Sequence, residues 1–291
     1  MTQTIGPSRA IKHSGWQLSV AGCLACGILA AAASRGLAQS NIVPDSTLAT
    51  ESSAVLPSFD GLPIEVILGG AERGRNLFHS FEAFNVAENR GAYFFSPDGI
   101  ETILSRVTGG RRSDILGTLG VLGEADLFLI NPNGIVFGPD ASLDVEGSFV
   151  ATTADALQFN EQAGFSAAAP ETSRLLSIQP AAFFFTAESQ AAEIVNQSTA
   201  LATVFGLPTF GLQVPDGESL LLVGGDIDLA GGVLLTFGGQ VELGGVRNEG
   251  TILLTRDGDR LGLAVPDAAL RSDVALTDEA LILRHRPAWL G

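Results

Sequence analysis

Two cysteines near the start of the chain, Cys23 and Cys26, are the residues whose spacing most directly suggests chemistry. Their CxxC pattern is that of redox motifs and of one half of a zinc site. No second ligand pair accompanies them and they lie in an apolar run, so the pattern argues against both kinds of site. After position 38 the chain has no cysteine, which is unusual for an exported domain. Such a chain suits a route in which no disulfide forms before a second membrane is crossed.

Other residue patterns that could support catalysis or metal binding are sparse. His79 lies among phenylalanines, and His285 is the only other histidine after position 38, so no Ser–His–Asp arrangement is indicated. The Asp257–Asp259 segment, Asp-Gly-Asp, offers too few oxygen ligands for a calcium site and is interpreted as a turn. The run Gly117–Gly123 does not match the GxGxxG pattern, and its glycines are interpreted as strand corners. The sequence therefore predicts no catalytic residue, no cofactor and no metal site, and a structural role for His79.

The charge balance excludes one class of partner. The chain contains 32 acidic and 16 basic residues, which gives a formal charge of −16. Three of the basic residues and none of the acidic ones lie in 1–38, so the remainder has 13 basic and 32 acidic residues and a charge of −19. A surface this acidic repels phosphate backbones, and we therefore predict no nucleic-acid partner.

The first 38 residues are organised like a secretory signal peptide. Basic residues precede an apolar segment at 16–33, and Gly36 and Ala38 form a small-x-small cleavage site. We expect cleavage after Ala38. One alternative is a membrane anchor, because the apolar run is close to the length that spans a bilayer. Another is a lipoprotein modified at Cys23, because Val20–Cys23 resembles a lipobox.

Residues 126–155 combine short apolar runs with two tight corners. The first corner is formed by Asn131, Pro132, Asn133 and Gly134, and the second by residues 138–140. Proline fixes φ, glycine and asparagine tolerate positive φ, and an asparagine side chain can bond its own backbone. The stretch is therefore predicted to run strand, corner, strand, corner, strand.

An internal repeat in residues 219–255 indicates how such strands are arranged. Glycine pairs recur at 224–225, 231–232, 238–239 and 244–245, and the residues between them alternate between apolar and polar types. Alternation places the apolar set on one face of each strand. Three short strands and three bends in about 20 residues describe one circuit of a three-sided coil, that is, a parallel β-helix. A meander of antiparallel hairpins is the alternative.

The chain is accordingly predicted to be all-β, with a signal peptide at 1–38, one β-helical domain at 39–272 and a short tail at 273–291. Residues 160–200 interrupt the rhythm of short strands and are predicted to form loops or an excursion, packed down by Phe183–Phe185. The tail continues the strand pattern to residue 283 and then becomes basic. It either caps the last turn or marks a shortened reading frame.

Several stretches, in this order, resemble the N-terminal secretion domain of filamentous haemagglutinin-like proteins, the exported partner in two-partner secretion (TPS), with cyanobacterial members most similar. The matching stretches are Ile42–Leu48, Leu77–Phe81 with Phe84, Ser105–Gly109, Ile115–Leu119, Leu127–Gly138 and Gly147–Thr153. An Asn-Pro-Asn-Gly motif alone would be a weak signal, whereas this set in this order is specific.

The resemblance implies a right-handed parallel β-helix with extra-helical β elements. It further implies Sec-dependent entry into the periplasm and recognition by an outer-membrane transporter of the TpsB/Omp85 type, which has POTRA domains. The product would be secreted or held at the outer cell surface, without catalytic activity, and residues Asn131, Pro132, Asn133 and Gly134 would form the secretion motif. An adhesin of this type would have a surface or carbohydrate ligand, which the sequence does not identify.

The chain departs from the family pattern at one motif. Relatives have a second Asn-Pro motif, but here Asn131-Pro132 is the only such pair. The family also usually has adhesive repeats after this domain. A truncated remnant of a larger adhesin is therefore an alternative, and so is a polysaccharide lyase or hydrolase on a β-helix. The enzyme would need a cluster of acids in a groove, whereas the acids here lie mainly at turns and outward positions.

Overall fold

The computed structural model describes residues 39–161, 163–187, 192–204, 207–266 and 271–285. The predicted signal peptide, with its two cysteines, and the last six residues lie outside this range. The described residues form β-strands and two short 3₁₀ turns, Ala49–Glu51 and Pro170–Thr172. Within the described residues, no helix has the length and apolar character needed to cross a membrane.

The strands are short, and most connections between them contain a turn or bend. In chain order they are β1 (Asn41–Pro44), β2 (Ser53–Leu56), β3 (Ile64–Gly69), β4 (Ala71–Arg73), β5 (Asn76–Asn85), β6 (Gly91–Phe95), β7 (Thr102–Val107), β8 (Ser113–Ile115), β9 (Thr118–Leu122), β10 (Asp126–Ile130), β11 (Ile135–Phe137), β12 (Ser142–Asp144), β13 (Phe149–Thr152), β14 (Ala156–Asn160), β15 (Ala163–Ser166), β16 (Ala182–Phe185), β17 (Ile194–Asn196), β18 (Leu201–Val204), β19 (Leu207–Phe210), β20 (Leu212–Gln213), β21 (Ser219–Gly224), β22 (Ile227–Ala230), β23 (Val233–Phe237), β24 (Gln240–Gly245), β25 (Gly250–Asp257), β26 (Arg260–Ala264), β27 (Val274–Thr277) and β28 (Leu281–His285).

Successive strands visit several sheets in a fixed order, as in a solenoid. Sheet 1 has the order β1-β5-β7-β10-β13-β21-β24, with β4 also paired to β5, and sheet 2 has the order β27-β22-β17-β11-β8. Sheet 3 is β12-β9-β6-β3-β2, and sheet 4 is β20-β23-β28. The chain passes from sheet 1 to sheet 2, then to sheet 3 or 4, and back to sheet 1. The all-β, β-helical prediction is confirmed, and the hairpin-meander alternative is wrong because most of these pairings are parallel.

The glycine-pair repeat forms one turn of this solenoid. Strands β21, β22 and β23 lie in sheets 1, 2 and 4, and β24 returns beside β21. Ser219 pairs with Gln240, so this turn takes 21 residues against the predicted 20. Gly231 and Gly238 have φ of +75° and +69° at two of the bends, a conformation that glycine adopts without strain.

Two apolar cores lie on opposite faces of sheet 1. In β10, Leu127 and Leu129 point into the solenoid, whereas Phe128 and Ile130 join a second core outside it. The second core is closed by sheet 5, in which the order is β15-β14-β16-β25-β26. Because both faces of sheet 1 are buried at its centre, β10, β13 and β21 are mostly apolar rather than alternating.

Sheet 5 contains most of the predicted excursion. Phe183 and Phe185 of β16 are fully buried in the outer core, so their predicted packing role is confirmed. The prediction of loops for 160–200 is only partly right, because Ile194–Asn196 is a strand of sheet 2 that pairs with β11 and β22. No glycine pair flanks this strand, which is why the repeat pattern did not mark it. The turn predicted at Asp257–Asp259 is confirmed, and it joins β25 and β26 as an antiparallel hairpin.

A β-bulge explains the three-residue spacing of phenylalanines in β5. The pairing of β1 with β5 shifts register between Val43, opposite Ala83, and Pro44, opposite Phe81. The extra residue allows Phe81 and Phe84 to point into the same inner core, which strict alternation would forbid. The spacing by three, which by itself fits a helical turn as well as a bent strand, therefore belongs to a strand.

The two ends of the solenoid differ. At the first turns, β1 and β2 run antiparallel to β5 and β3. At the other end, β27 and β28 extend sheets 2 and 4 beyond the predicted boundary at residue 272, and β24 is the terminal strand of sheet 1.

Candidate functional site

The asparagine motif forms the corner at which the chain leaves sheet 1 for sheet 2. Asn131 follows β10 directly and is fully buried. Its Oδ1 accepts the N–H of Asn133 at 3.0 Å, and its backbone carbonyl accepts the N–H of Gly134 at 3.1 Å. The first bond is an Asx turn and the second closes a β-turn, so the motif satisfies its own backbone while the chain reverses direction.

The side chain of Asn131 also reaches the preceding turn of the solenoid. Its Nδ2 donates to Ser113 Oγ at 2.9 Å and to the carbonyl oxygen of Arg111 at 3.0 Å. Asn133 adds a parallel bond, because its Nδ2 donates to the carbonyl oxygen of Gly109 at 2.8 Å. The two amides therefore hold the loop of residues 109–112, which we call the arginine loop, against the corner.

The remaining two motif residues differ in exposure. Gly134 is buried and has a φ of +109°, which is strained for other residues. A Cβ at position 134 would lie 3.1 Å from the carbonyl oxygen of Glu193. Pro132 is half-buried and Asn133 is exposed, so the tip of the corner faces solvent. The structure thus brings all four predicted motif residues together, with Asn131 and Gly134 inside and Pro132 and Asn133 outside.

A polar groove of about 490 Å³ lies beside the arginine loop. Its walls include residues 39–41 at the start of the described chain, Asn85, and the two arginines of the loop. Arg112 makes an exposed ion pair with Asp114 at 2.9 Å, and Asn85 Oδ1 accepts the Asp114 N–H at 2.9 Å. The start of the domain and the motif thus lie at one side of the first turns.

The sequence reasoning missed a second corner that is built in the same way. Asn196 ends β17, is fully buried, and accepts the N–H of Ser198 on its Oδ1 at 3.0 Å. Its Nδ2 donates to the carbonyl oxygen of Val233 at 3.4 Å in the next turn. No proline follows Asn196, so an Asn-Pro search overlooks it. An asparagine at the end of a β-branched strand, two residues before a serine, is the signal that could have identified it.

A buried arginine network, also missed from the sequence, joins the first turns to sheet 5. Arg106 is fully buried and donates to Ser80 Oγ at 2.8 Å, to Thr47 Oγ1 at 2.8 Å and to the carbonyl oxygen of Ser166 at 2.6 Å. Burial lowers the pKa of Arg106 to about 10, against the opposing charges of Asp45 and Glu171. Removing the partners of a buried arginine would leave an uncompensated charge in the interior, at a cost of several kcal/mol. This network therefore fixes the position of the N-terminal segment.

Asp45 supplies the negative charge near this network. It accepts the hydroxyl of Ser80 at 2.7 Å and that of Thr108 at 2.6 Å. Burial raises the pKa of Asp45, but the hydrogen bonds from Thr108, Thr47 and Ser80 outweigh it, so the net pKa is lowered. The carboxylate therefore stays ionised while it anchors the segment that follows β1.

His79 has the surroundings of a core residue. It is fully buried beside Phe81 and Phe94, and its Nδ1 lies 2.9 Å from Ser53 Oγ. Burial lowers the pKa of His79 to about 3, so the ring is neutral at physiological pH. No cluster of three or more His, Cys, Asp or Glu residues that could hold a metal ion occurs in the described part of the chain.

The comparison with protein families identifies the domain. A family model described as the TPS secretion domain matches residues 40–283. The chain belongs to the TPS secretion domain family. It is therefore a secretion domain of the two-partner type. TPS secretion domains are not catalytic modules.

The chain is also similar to individual proteins and solved domains. The heme/hemopexin-binding protein of Haemophilus influenzae is 36% identical over 81 residues, which cover 28% of this chain and 9% of that protein. The crystal structure of the HMW1 secretion domain from Haemophilus influenzae shares the fold with a TM-score of 0.52 and 21% identity, over 86% of this chain and 56% of that one. The filamentous haemagglutinin secretion domain covers 84% of this chain and 96% of its own, with a TM-score of 0.41 and 15% identity. The chain thus spans about a tenth of the curated relative and about half of the HMW1 chain.

Proposed function

We propose that this TPS domain directs export through an outer-membrane transporter of the TpsB/Omp85 type, and that Asn131–Gly134 is the corner on which recognition depends. The observation that carries the proposal is the double clamp, in which Asn131 and Asn133 bind the backbone of the arginine loop. Recognition would take place in the periplasm through the POTRA domains of the transporter, after Sec-dependent translocation and cleavage after Ala38. The product would be released to the outer surface or the medium.

The exposure pattern of the corner supports a role beyond stability. A corner needed only for folding requires the buried Asn131 and a glycine at 134, as the bonds of these residues show. It does not require a second asparagine that is exposed to solvent. An exposed side chain whose amide holds an adjoining loop shapes a surface. Passenger activity, including any adhesion, would belong to the complete exported protein.

The proposal is tested by export of the full chain co-expressed with a two-partner transporter that secretes the unchanged chain. The amounts of the chain in medium and cells are compared for the double variant Asn131→Ala/Asn133→Ala and for the matched control Asn196→Ala. We expect the double variant to lower the exported fraction about tenfold, equivalent to ~1.4 kcal/mol of lost recognition, and the control to lower it less than about twofold. Equal losses in the two variants would mean that the motif acts only through stability.

A further inference from the structure

Within the described part of the chain, the outer face of sheet 3 is not covered by another sheet, and a tyrosine ring packs on it. On sheet 3, the outward side chains of β6 and β9 include Tyr93, the one tyrosine of the chain, and Thr118, both half-buried. Sheet 1, in contrast, has its outer face covered by sheet 5. Gly91 and Gly120 lie beside Tyr93 on the same face, where Gly120 is its cross-strand partner.

The tyrosine lies down over these glycines. A Cβ at Gly120 would come within 2.4 Å of one edge of the ring, and a Cβ at Gly91 within 2.6 Å of the other edge. The phenol hydroxyl donates to Asp144 Oδ2 at 2.9 Å, in β12 two strands away. Burial, with the neighbouring Asp144 carboxylate, raises the pKa of Tyr93 to about 12, so the hydroxyl remains a donor. The ring thus lies across the two glycines toward β12, and the half-buried side chain keeps part of its surface exposed.

A groove of about 390 Å³ runs beside the ring. It is lined by Asn89, Arg90, Thr118 and Asp140 as well as by Gly91 and Tyr93. Arg90 is largely neutralised, because its Nε donates to Glu65 Oε1 at 2.6 Å and its Nη2 to the Pro57 carbonyl at 3.0 Å. The groove therefore offers amide, hydroxyl and carboxylate groups next to an aromatic wall, and its volume is that of a small-molecule site.

From this geometry we propose that the outer face of sheet 3 binds a neutral, β-linked polysaccharide, with Tyr93 as the stacking platform. Pyranose rings present C–H faces that pack on aromatic faces and hydroxyls that pair with amide and carboxylate groups. Adjacent strands of a sheet lie about 4.8 Å apart, close to the roughly 5 Å repeat of an extended β-linked hexose chain, so successive sugars could follow successive turns.

Charge selects among the sugars. Asp140 and Asp144 flank the groove and ring, and the chain after position 38 carries a formal charge of −19. Uronic-acid or sulfated polymers would be repelled, whereas neutral hexoses would be accepted. This binding function goes beyond export, and its test does not use a transporter.

The test is affinity electrophoresis of the full chain in gels that contain a soluble neutral β-1,4-glucan, β-1,4-mannan or β-1,3-glucan. We expect retardation by at least one of these polymers and none by heparin. The variant Tyr93→Ala should weaken binding by at least about tenfold, whereas Tyr93→Phe, which keeps the platform, should weaken it about threefold or less. Phe210→Ala removes an exposed ring of β19, outside sheet 3, and it should leave the retardation unchanged.

A folding defect is separated from a binding defect by a second variant and by circular dichroism of every variant. Thr118→Arg places a long side chain in the groove next to Gly91 and Gly120, while Tyr93 stays in place. This variant should also abolish retardation. Absence of retardation by all three neutral polymers would overturn the proposal. Equal weakening by Phe210→Ala and Tyr93→Ala, or stronger retardation by heparin than by the neutral polymers, would overturn it as well.

Discussion

The two asparagine corners of the solenoid share one bonding plan and differ in what they show to solvent. At Asn131 and at Asn196, a buried side chain accepts an N–H two residues on and donates to a carbonyl of an adjacent turn. The first corner adds Pro132, the exposed Asn133 and a second clamp on the arginine loop. The second has only the exposed Gln197 between its bonded residues.

The comparison separates two roles of an asparagine corner, which are to stabilise the backbone and to present a surface to a partner. An asparagine that satisfies the backbone at a strand end is a general device of this solenoid, and it needs no receptor. What distinguishes the corner at 131–134 is its tip and the loop that this tip holds. The tip and the arginine loop are accessible to a binding partner, whereas the buried amide of Asn131 is not.

The largest effect is expected for Asn131→Ala. The substitution removes bonds to Ser113, Arg111 and Asn133 and leaves buried partners unsatisfied, so we expect a loss of about 3 kcal/mol in the free energy of unfolding. Urea unfolding of the full chain measures it. A loss below about 1 kcal/mol would show that water replaces the amide. The buried Asn131 side chain would then not be the structural element of this corner.

The matched substitution Asn196→Ala should cost about 2 kcal/mol, because it removes two side-chain bonds, one of them long at 3.4 Å. The same urea titration serves, with export measured in parallel. If Asn196→Ala reduced export as strongly as Asn131→Ala, the two corners would be equivalent and the comparison would fail.

Both corners are built from uncharged amides, so acid should act elsewhere, at His79. Its folded pKa of about 3 lies below the ordinary value of 6.5, so as the pH falls below 6.5 the unfolded chain takes up a proton that the folded chain does not. Stability should therefore fall by about 1 kcal/mol between pH 6.5 and 5.5, with a slope that approaches about 1.4 kcal/mol per pH unit at lower pH. Comparing urea midpoints at pH 6.5 and 5.5 checks this slope, which His79→Leu should remove while Asn131→Ala retains it.

The smallest effect on stability is expected for Asn133→Ala. Its one bond to another loop, to Gly109, is exposed, so the loss should stay below about 1 kcal/mol. The informative result is a difference between the two measurements, in which export falls several-fold while the urea midpoint barely changes. Loss of export only in proportion to stability would place Asn133 with the structural residues.

The solenoid was well predicted because its signal is local. Glycine pairs, short alternating runs and asparagine–proline corners report the backbone directly, and β21–β24 follow the glycine pairs almost residue for residue. Strand β17 lacked such punctuation and was hidden in a predicted excursion. In β5 the phenylalanine spacing by three does not distinguish a helix from a strand, because a bulge produces a helix-like period over a few residues.

The glycines at 117–123 also show that a local pattern does not identify contacts between distant residues. The sequence favoured strand corners, and Gly117 and Gly123 do flank β9. Gly120 instead lies inside the strand, beneath Tyr93. That contact joins residues 27 positions apart through the register of β6 and β9, which no local pattern encodes.

By itself, the sequence determined the all-β solenoid and the corners marked by glycine pairs and by Asn131-Pro132, since these depend on backbone preferences and on the order of short segments. Only the tertiary structure decided which residues meet between turns. It placed Asn131 and Asn133 on the arginine loop, Arg106 under the N-terminal segment, and Tyr93 on its glycines. Each of these contacts joins successive turns or distant segments, and its partners are set by register and packing rather than by neighbours along the chain.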